Sequence, residues 1–201
     1  MSRLGRSEHS YDETERPTQA GEPIRRLNWG CGSCLASGWI NSDVKDAPGI
    51  LGADIREGLP IATESIDYAV SMHALQEVIY PELVPTLQEL RRVLKRGGVL
   101  RLGLPDLHKG FDAYQRGDAG YFLIPDEDMR SLGGKLVAQL VWYGHTRTVF
   151  VAPFVEELLY KAGFIRVDHV AYRVTASSFP EIVELDNRPR ESLFVEAVKC
   201  E

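Results

Sequence analysis

The chain has 201 residues, 44% of them hydrophobic, which suits one compact domain with a real core. A formal net charge of −6 argues against bulk affinity for nucleic acid or an anionic membrane surface. No run approaches the ~20 apolar residues of a membrane-spanning helix, and three cysteines fit a reducing, cytoplasmic setting better than a disulfide framework.

Residues 1–23 are polar, charged and poor in core formers, without the apolar core of a signal peptide, and read as a flexible tail before a domain over 24–201. From Ile24 onward strand and helix signals alternate. "IRRLNW" predicts a first strand, "WINSDV" a second, "GILGADI" a third and "SIDYAVSM" a fourth. "YPELVPTLQELRRVLKRGG" predicts a helix, since Leu83, Val84, Leu87, Leu90 and Leu94 keep the three-four spacing. Its basic end (Arg91, Arg92, Lys95, Arg96) complements the helix dipole on a solvated face, and Gly97-Gly98 is the expected terminator. "VLRLGLP" follows as a fifth strand. Residues 107–148 are less regular, with a helix expected around Leu132–Trp142. "APFVEELLYKAGF" predicts another helix, and Ile165–Val174 and Ser192–Val198 predict two closing strands. Such alternation implies a mostly parallel sheet with helices on its faces, and ligands then bind just beyond the strands' carboxyl ends.

The stretch "RRLNWGCGSCLASGWINSD" contains Cys31-Gly-Ser-Cys34. A redox dithiol needs a helix starting at its first cysteine to lower the thiol pKa, and "LAS" is too short to supply one. A structural zinc site needs four ligands, and Cys200, His73 and His145 offer no matching second pair, so no metal is expected. The glycines carry more weight. Gly30-x-Gly32 after an apolar strand permits a tight turn and close approach to a ligand, and Asp43 ends the next strand, where a carboxylate can accept from two adjacent ribose hydroxyls.

With "LNWGCG", Asp43, "GADI", "SIDYAVSMHALQEV" and "LQELRRVLKRGGVLRLGLPD" in this order, the chain resembles the class I, Rossmann-like S-adenosylmethionine-dependent methyltransferases. "GWINSD", "LPD" and "LDNRPRESLFVEAVK" further resemble a small bacterial subgroup of them. The resemblance implies a three-layer α/β fold whose sheet of about seven strands is parallel except for the last. It implies S-adenosyl-L-methionine as cofactor, with Asn28, Gly30, Cys31 and Gly32 at its amino-acid end and Asp43 on the ribose. Asp54 and Ile55 would meet the adenine, and Ser71, Met72 and His73 would line the methyl-transfer side. The chain departs from the family in having Asn28 for an acidic residue, Cys34 for a third glycine, Gln76-Glu77 for a Glu-His pair, and a short first crossover. That crossover leaves one side of the cofactor site open, where the tail could cover it.

Methyl transfer is an in-line displacement that needs a base only when the acceptor carries a proton at attack. Candidates are His73 after the fourth strand, His145 in "WYGHTRT" and, more weakly, Asp106 after "LGLP", which suits a helix cap or a turn better. Tyr114, Tyr121, Trp142 and Tyr143 could line an acceptor pocket or fill core. The expected activity is O- or N-methylation of a small molecule. The alternatives are a non-catalytic cofactor-binding or scaffolding module of the same fold and a nicotinamide-dependent reductase. The latter needs a fuller glycine motif opening a long helix. Oligomeric state is left open.

Overall fold

The computed structural model describes residues 23–200; the tail expected over 1–23 lies, but for its last residue, outside them. The strands are β1 (Arg26–Trp29), β2 (Ile40–Asp43), β3 (Leu51–Gly52), β4 (Ile66–Met72), β5 (Leu94–Pro105), β6 (Arg166–Val170) and β7 (Ser192–Val198). They form one sheet in the order β3-β2-β1-β4-β5-β7-β6. The first five run parallel, and β7 is antiparallel to both β5 and β6. Strand order reverses between β1 and β4, which opens the crevice where such sheets bind ligands.

Side chains alternate between the two faces of each strand. Ile66 and Ala69 of β4, Leu100, Leu102 and Leu104 of β5, and Leu193 and Val195 of β7 join the main core. Two helices cover that core: α1 (Leu83–Val93), through Leu83, Leu87 and Leu90, and α4 (Ala152–Lys161), through Val155, Leu158 and Leu159. On the opposite side Tyr68, Val70 and Val99 pack with Trp39 and Ile182. That third layer is not helical as expected. It is the irregular arm between β6 and β7, with one 3-10 turn at Pro180–Val183, together with the short loop before β2. Trp39 meets Tyr68 edge-on at 5.3 Å, and Phe179 lies 5.0 Å from Tyr68. Two further helices, α2 (Leu107–Gln115) and α3 (Leu132–Val141), pack on each other around Ala113, Tyr121, Phe122 and Leu136.

Two expectations are corrected. The first long helix ends at Val93, not at Gly97-Gly98, because its last carbonyls are taken from outside the helix: Glu64 N donates to Arg92 O and Ser65 N to Val93 O. Leu94 then pairs with Ile66 in the sheet, and its basic end is not merely a solvated face. Arg92 donates to the carbonyls of Leu59 and Ile61, and Lys95 binds Asp67 at 2.9 Å. Helix α2 was unforeseen because "LHKGFDAYQ" interrupts its apolar spacing with Gly110, which is buried beside Leu136. Residues 30–38 form turns rather than a helix, so the long helix that the reductase alternative requires is absent there.

Candidate active site

The switch point is built from a close approach of two loops. Gly30 follows β1 with φ +68°, and a Cβ placed on it would lie 2.2 Å from Ala74 Cβ, in the loop after β4. Only glycine fits both the conformation and the space. Gly30 N and Cys31 N both donate to Ser42 O, at 2.8 and 3.1 Å, and Gly32 N donates to Asp43 Oδ2 at 2.9 Å. The short crossover is knit by amides: Asn28 Nδ2 donates to Cys34 O and to Asn41 Oδ1, both at 3.0 Å. Asn41 in turn accepts from Ala36 N and donates to Ala36 O. An asparagine at position 28 thus does what a carboxylate could not, since it donates two hydrogen bonds. Cys31 is buried, and burial, reinforced by Asp43, raises its thiol pKa, the opposite of an activated dithiol. Among the described residues no group of three or more His, Cys, Asp or Glu is gathered that could hold a metal ion.

A cleft of about 710 Å³ opens above β1, β2 and β4. It is lined by Asn28, the loop from Gly30 to Cys34, Asp43, Asp54, Ile55, Met72 and His73, so most of the sequence-based cofactor residues come together. Ser71 does not. It is fully buried on β4, its hydroxyl unpartnered, because strand alternation turns it away from the crevice. Asp54 caps the 3-10 turn at Ile55–Glu57 and grips Arg56 with both oxygens, which holds its carboxyl down at about 2. Asp43 keeps more capacity: Oδ1 has only a 3.4 Å contact, from Lys45 N.

A second cavity, about 110 Å³, lies beside the first beneath α2 and α3. Its walls include Gln76, Asp106, Tyr121, Phe122, Trp142 and Glu191. His73, Glu77 and Arg188 line both cavities and mark their junction. Ser192 Oγ donates to Arg188 O at 2.8 Å, so His73 Nε2 must donate to Ser192 Oγ at 2.6 Å. Nδ1 then accepts from Arg188 Nη1 at 3.2 Å. Both ring nitrogens are engaged, and burial, assisted by the Arg188 charge, drives the imidazole down to about 3. A ring so held is a poor proton acceptor, which counts against His73 as base. His145 is exposed and lines neither cavity, because Arg147 N and Thr148 N are bound to Gln76 O and draw those residues, not His145, toward the site. Asp106 lines the second cavity, but Oδ1 accepts from His108 N as the cap of α2. Of the four aromatic candidates, Tyr121 and Trp142 are cavity walls, whereas Tyr114 and Tyr143 line neither cavity.

Sequence reasoning missed Arg188, Glu191 and Ser192 as site residues. Their signal was the polar run "DNRPRES" directly before an apolar strand, an arrangement that puts charge at a sheet end. Glu77 was visible only as a departure from the family pattern. Its carboxylate has no hydrogen bond or ion pair among the described residues, and the burial of Glu191 raises its carboxyl pKa.

This sheet order, with a glycine turn after β1, an acidic residue ending β2 and a cleft at the switch point, defines a Rossmann-like cofactor-binding fold. A family described as "Methyltransferase domain" matches residues 35–102. No curated protein matches the sequence significantly. Among solved structures, the chain is similar to a Thermotoga maritima S-adenosylmethionine-dependent methyltransferase described as a possible histamine N-methyltransferase. Identity is 19%, coverage 90% of this chain and 84% of that one, and the TM-score 0.53. It is similar to an Archaeoglobus fulgidus S-adenosylmethionine-dependent methyltransferase at 12% identity, covering 88% and 86%, with a TM-score of 0.57. The carbon methyltransferase CurJ matches at 14% identity, covering 93% of this chain but 50% of that one, with a TM-score of 0.55. At such identities these likenesses carry the fold, and the family match spans less than half of the chain. The fold is that of the class I, Rossmann-like S-adenosylmethionine-dependent methyltransferases.

Proposed function

We propose that the chain transfers a methyl group from S-adenosyl-L-methionine to oxygen or nitrogen of a small-molecule acceptor held in the cavity under α2 and α3. The observation that carries this reading is the junction of the two cavities at His73, Glu77 and Arg188. The larger cleft fits the cofactor. Its volume lies in the range of ligand sites, and Asp43 at its rim retains acceptor capacity for paired hydroxyls.

Asp43 would hold the ribose while fixing Gly32. The Gly30–Gly32 loop and Asn28 would face the amino-acid end, Ile55 would supply an apolar wall for the adenine beside the Asp54–Arg56 pair, and Met72 would border the methyl side. When bound, the cofactor supplies an electrophilic methyl on a sulfonium. His73 is a positioning residue: uncharged, it puts no cation beside that sulfonium, and it holds Arg188 at the junction. The wall of Leu107, Leu136 and Leu140 excludes water from the acceptor. The elements from Arg26 to Val198 support one catalytic domain beginning near residue 24. Among the described residues no helix is long and apolar enough to cross a membrane.

Calorimetry with S-adenosylhomocysteine, followed by product-release assays on a metabolite panel, tests the reading; no binding at millimolar ligand would sink it. The internal pairing of the Gly30, Cys31 and Gly32 amides favours a second reading, the non-catalytic module. Cofactor binding without turnover of any panel member would select that second reading.

A further inference from the structure

The inner cavity carries more negative than positive side chains. Three carboxylates, Glu77, Asp106 and Glu191, line it against a single cationic side chain, Arg188. That guanidinium is already engaged: Nη1 donates to His73, Nε lies 3.8 Å from Glu191 Oε1, and the group sits 5.9 Å from the Trp142 ring centroid. Two buried acceptor oxygens on this wall have no hydrogen-bond partner, Gln76 Oε1 and Glu191 Oε1. The Gln76 side chain belongs to a residue only 8% exposed, and its orientation is decided by the His73 carbonyl, which takes the amide N–H and leaves the oxygen orphaned. A buried acceptor without a donor is destabilising, and a ligand bringing N–H groups relieves that. Tyr121, Phe122 and Trp142 complete the wall with aromatic faces, which attract cations.

We infer that the acceptor is a primary or secondary amine with an apolar body, bound as its ammonium in the inner cavity, and that Glu77 takes the proton that must leave before attack. The inference rests on the methyl-transfer reading above. Glu77 is the carboxylate that reaches both cavities, so it stands where the reacting nitrogen must face the methyl. Asp106 and Glu191 line only the inner one, and Asp106 also caps α2. In the step, the Glu77 carboxylate removes one ammonium proton and the freed nitrogen lone pair forms the N–C bond. The C–S bond breaks with its electron pair remaining on sulfur, now a neutral thioether. The product leaves as a methylammonium, and Glu77 returns its proton to solvent. A carboxylate-bearing acceptor is disfavoured by the same lining charges, and an alcohol would leave the excess of negative charge uncompensated.

The test pairs primary arylalkylamines with their isosteric alcohols, phenethylamine with 2-phenylethanol first, on protein saturated with S-adenosylhomocysteine. Binding by calorimetry should favour the amines by about tenfold or more, since the charge-assisted bonds exist only for them. Glu77→Gln should erase most of that preference and abolish amine turnover with an unchanged unfolding midpoint, and Glu77→Asp should restore part of both. Equal or stronger binding of the alcohols, no binding of any amine, or an undiminished preference and turnover in Glu77→Gln each overturns the inference. Failure of S-adenosylhomocysteine itself to bind overturns the methyl-transfer reading instead.

Discussion

Arg101 is fully buried on β5 and holds the arm between β6 and β7 onto the sheet. Nε and Nη2 grip the Asp186 carboxylate at 2.7 and 2.5 Å, and Nη1 binds Glu196 at 2.6 Å. The same guanidinium donates to the carbonyls of Val174 and Ala171. Arg101→Met keeps the apolar stem but removes all of these bonds and leaves two buried carboxylates without their cation. Breaking a buried pair in this way costs roughly 3–5 kcal/mol. In a chain of this length that lowers the unfolding midpoint by on the order of 10 °C. Because Arg188 lies just beyond Asp186, a loosened arm should also weaken acceptor binding. Urea unfolding of the variant measures the first effect and calorimetry the second. Replacing all three residues with apolar ones should recover much of the stability, since the desolvation cost disappears with the charges. A loss below about 1 kcal/mol in Arg101→Met would mean that the cluster stays hydrated, refuting the argument.

Three other outcomes are expected. Gly30→Ala should cost about 1–3 kcal/mol through its left-handed φ and its clash with Ala74. Adding Ala74→Gly should relieve the clash and leave the backbone part, and denaturant titration of both variants separates the two. Asp43→Ala should weaken S-adenosylhomocysteine at least about tenfold by calorimetry, as the ribose and Gly32 N both lose a charged acceptor; unchanged affinity refutes the ribose assignment. For His73, the unfolded imidazole protonates near its usual 6.5, whereas the folded one resists until about 3. Its contribution to stability is therefore complete above 6.5 and lost on acidification, with a slope of up to about 1.4 kcal/mol per pH unit between pH 6 and 4. His73→Asn, which tolerates the φ of +54° at this position, should flatten the stability profile over that interval. A profile as steep as the native one would show that His73 protonates freely in the fold.

Local periodicity carried the seven strands, the helices α1, α3 and α4 and the Gly30-to-Asp43 half of the larger cleft, because each is written within about twenty consecutive residues. The end of α1 and the existence of α2 were not so legible. The first depends on Glu64 and Ser65 capturing the last carbonyls, the second on Leu136 packing over Gly110. The reactive end of the site was decided by tertiary structure alone. Inserting β7 between β5 and β6 sets Ser192 opposite Pro105 and brings it to His73 from 119 positions away. That contact, with Arg188, engages both ring nitrogens of the foremost candidate base, while the loop leading to α4 leaves His145 outside both cavities. Residue types and their order suffice to announce a cofactor fold. Which group can accept a proton depends on burial and on partners that only chain register brings together.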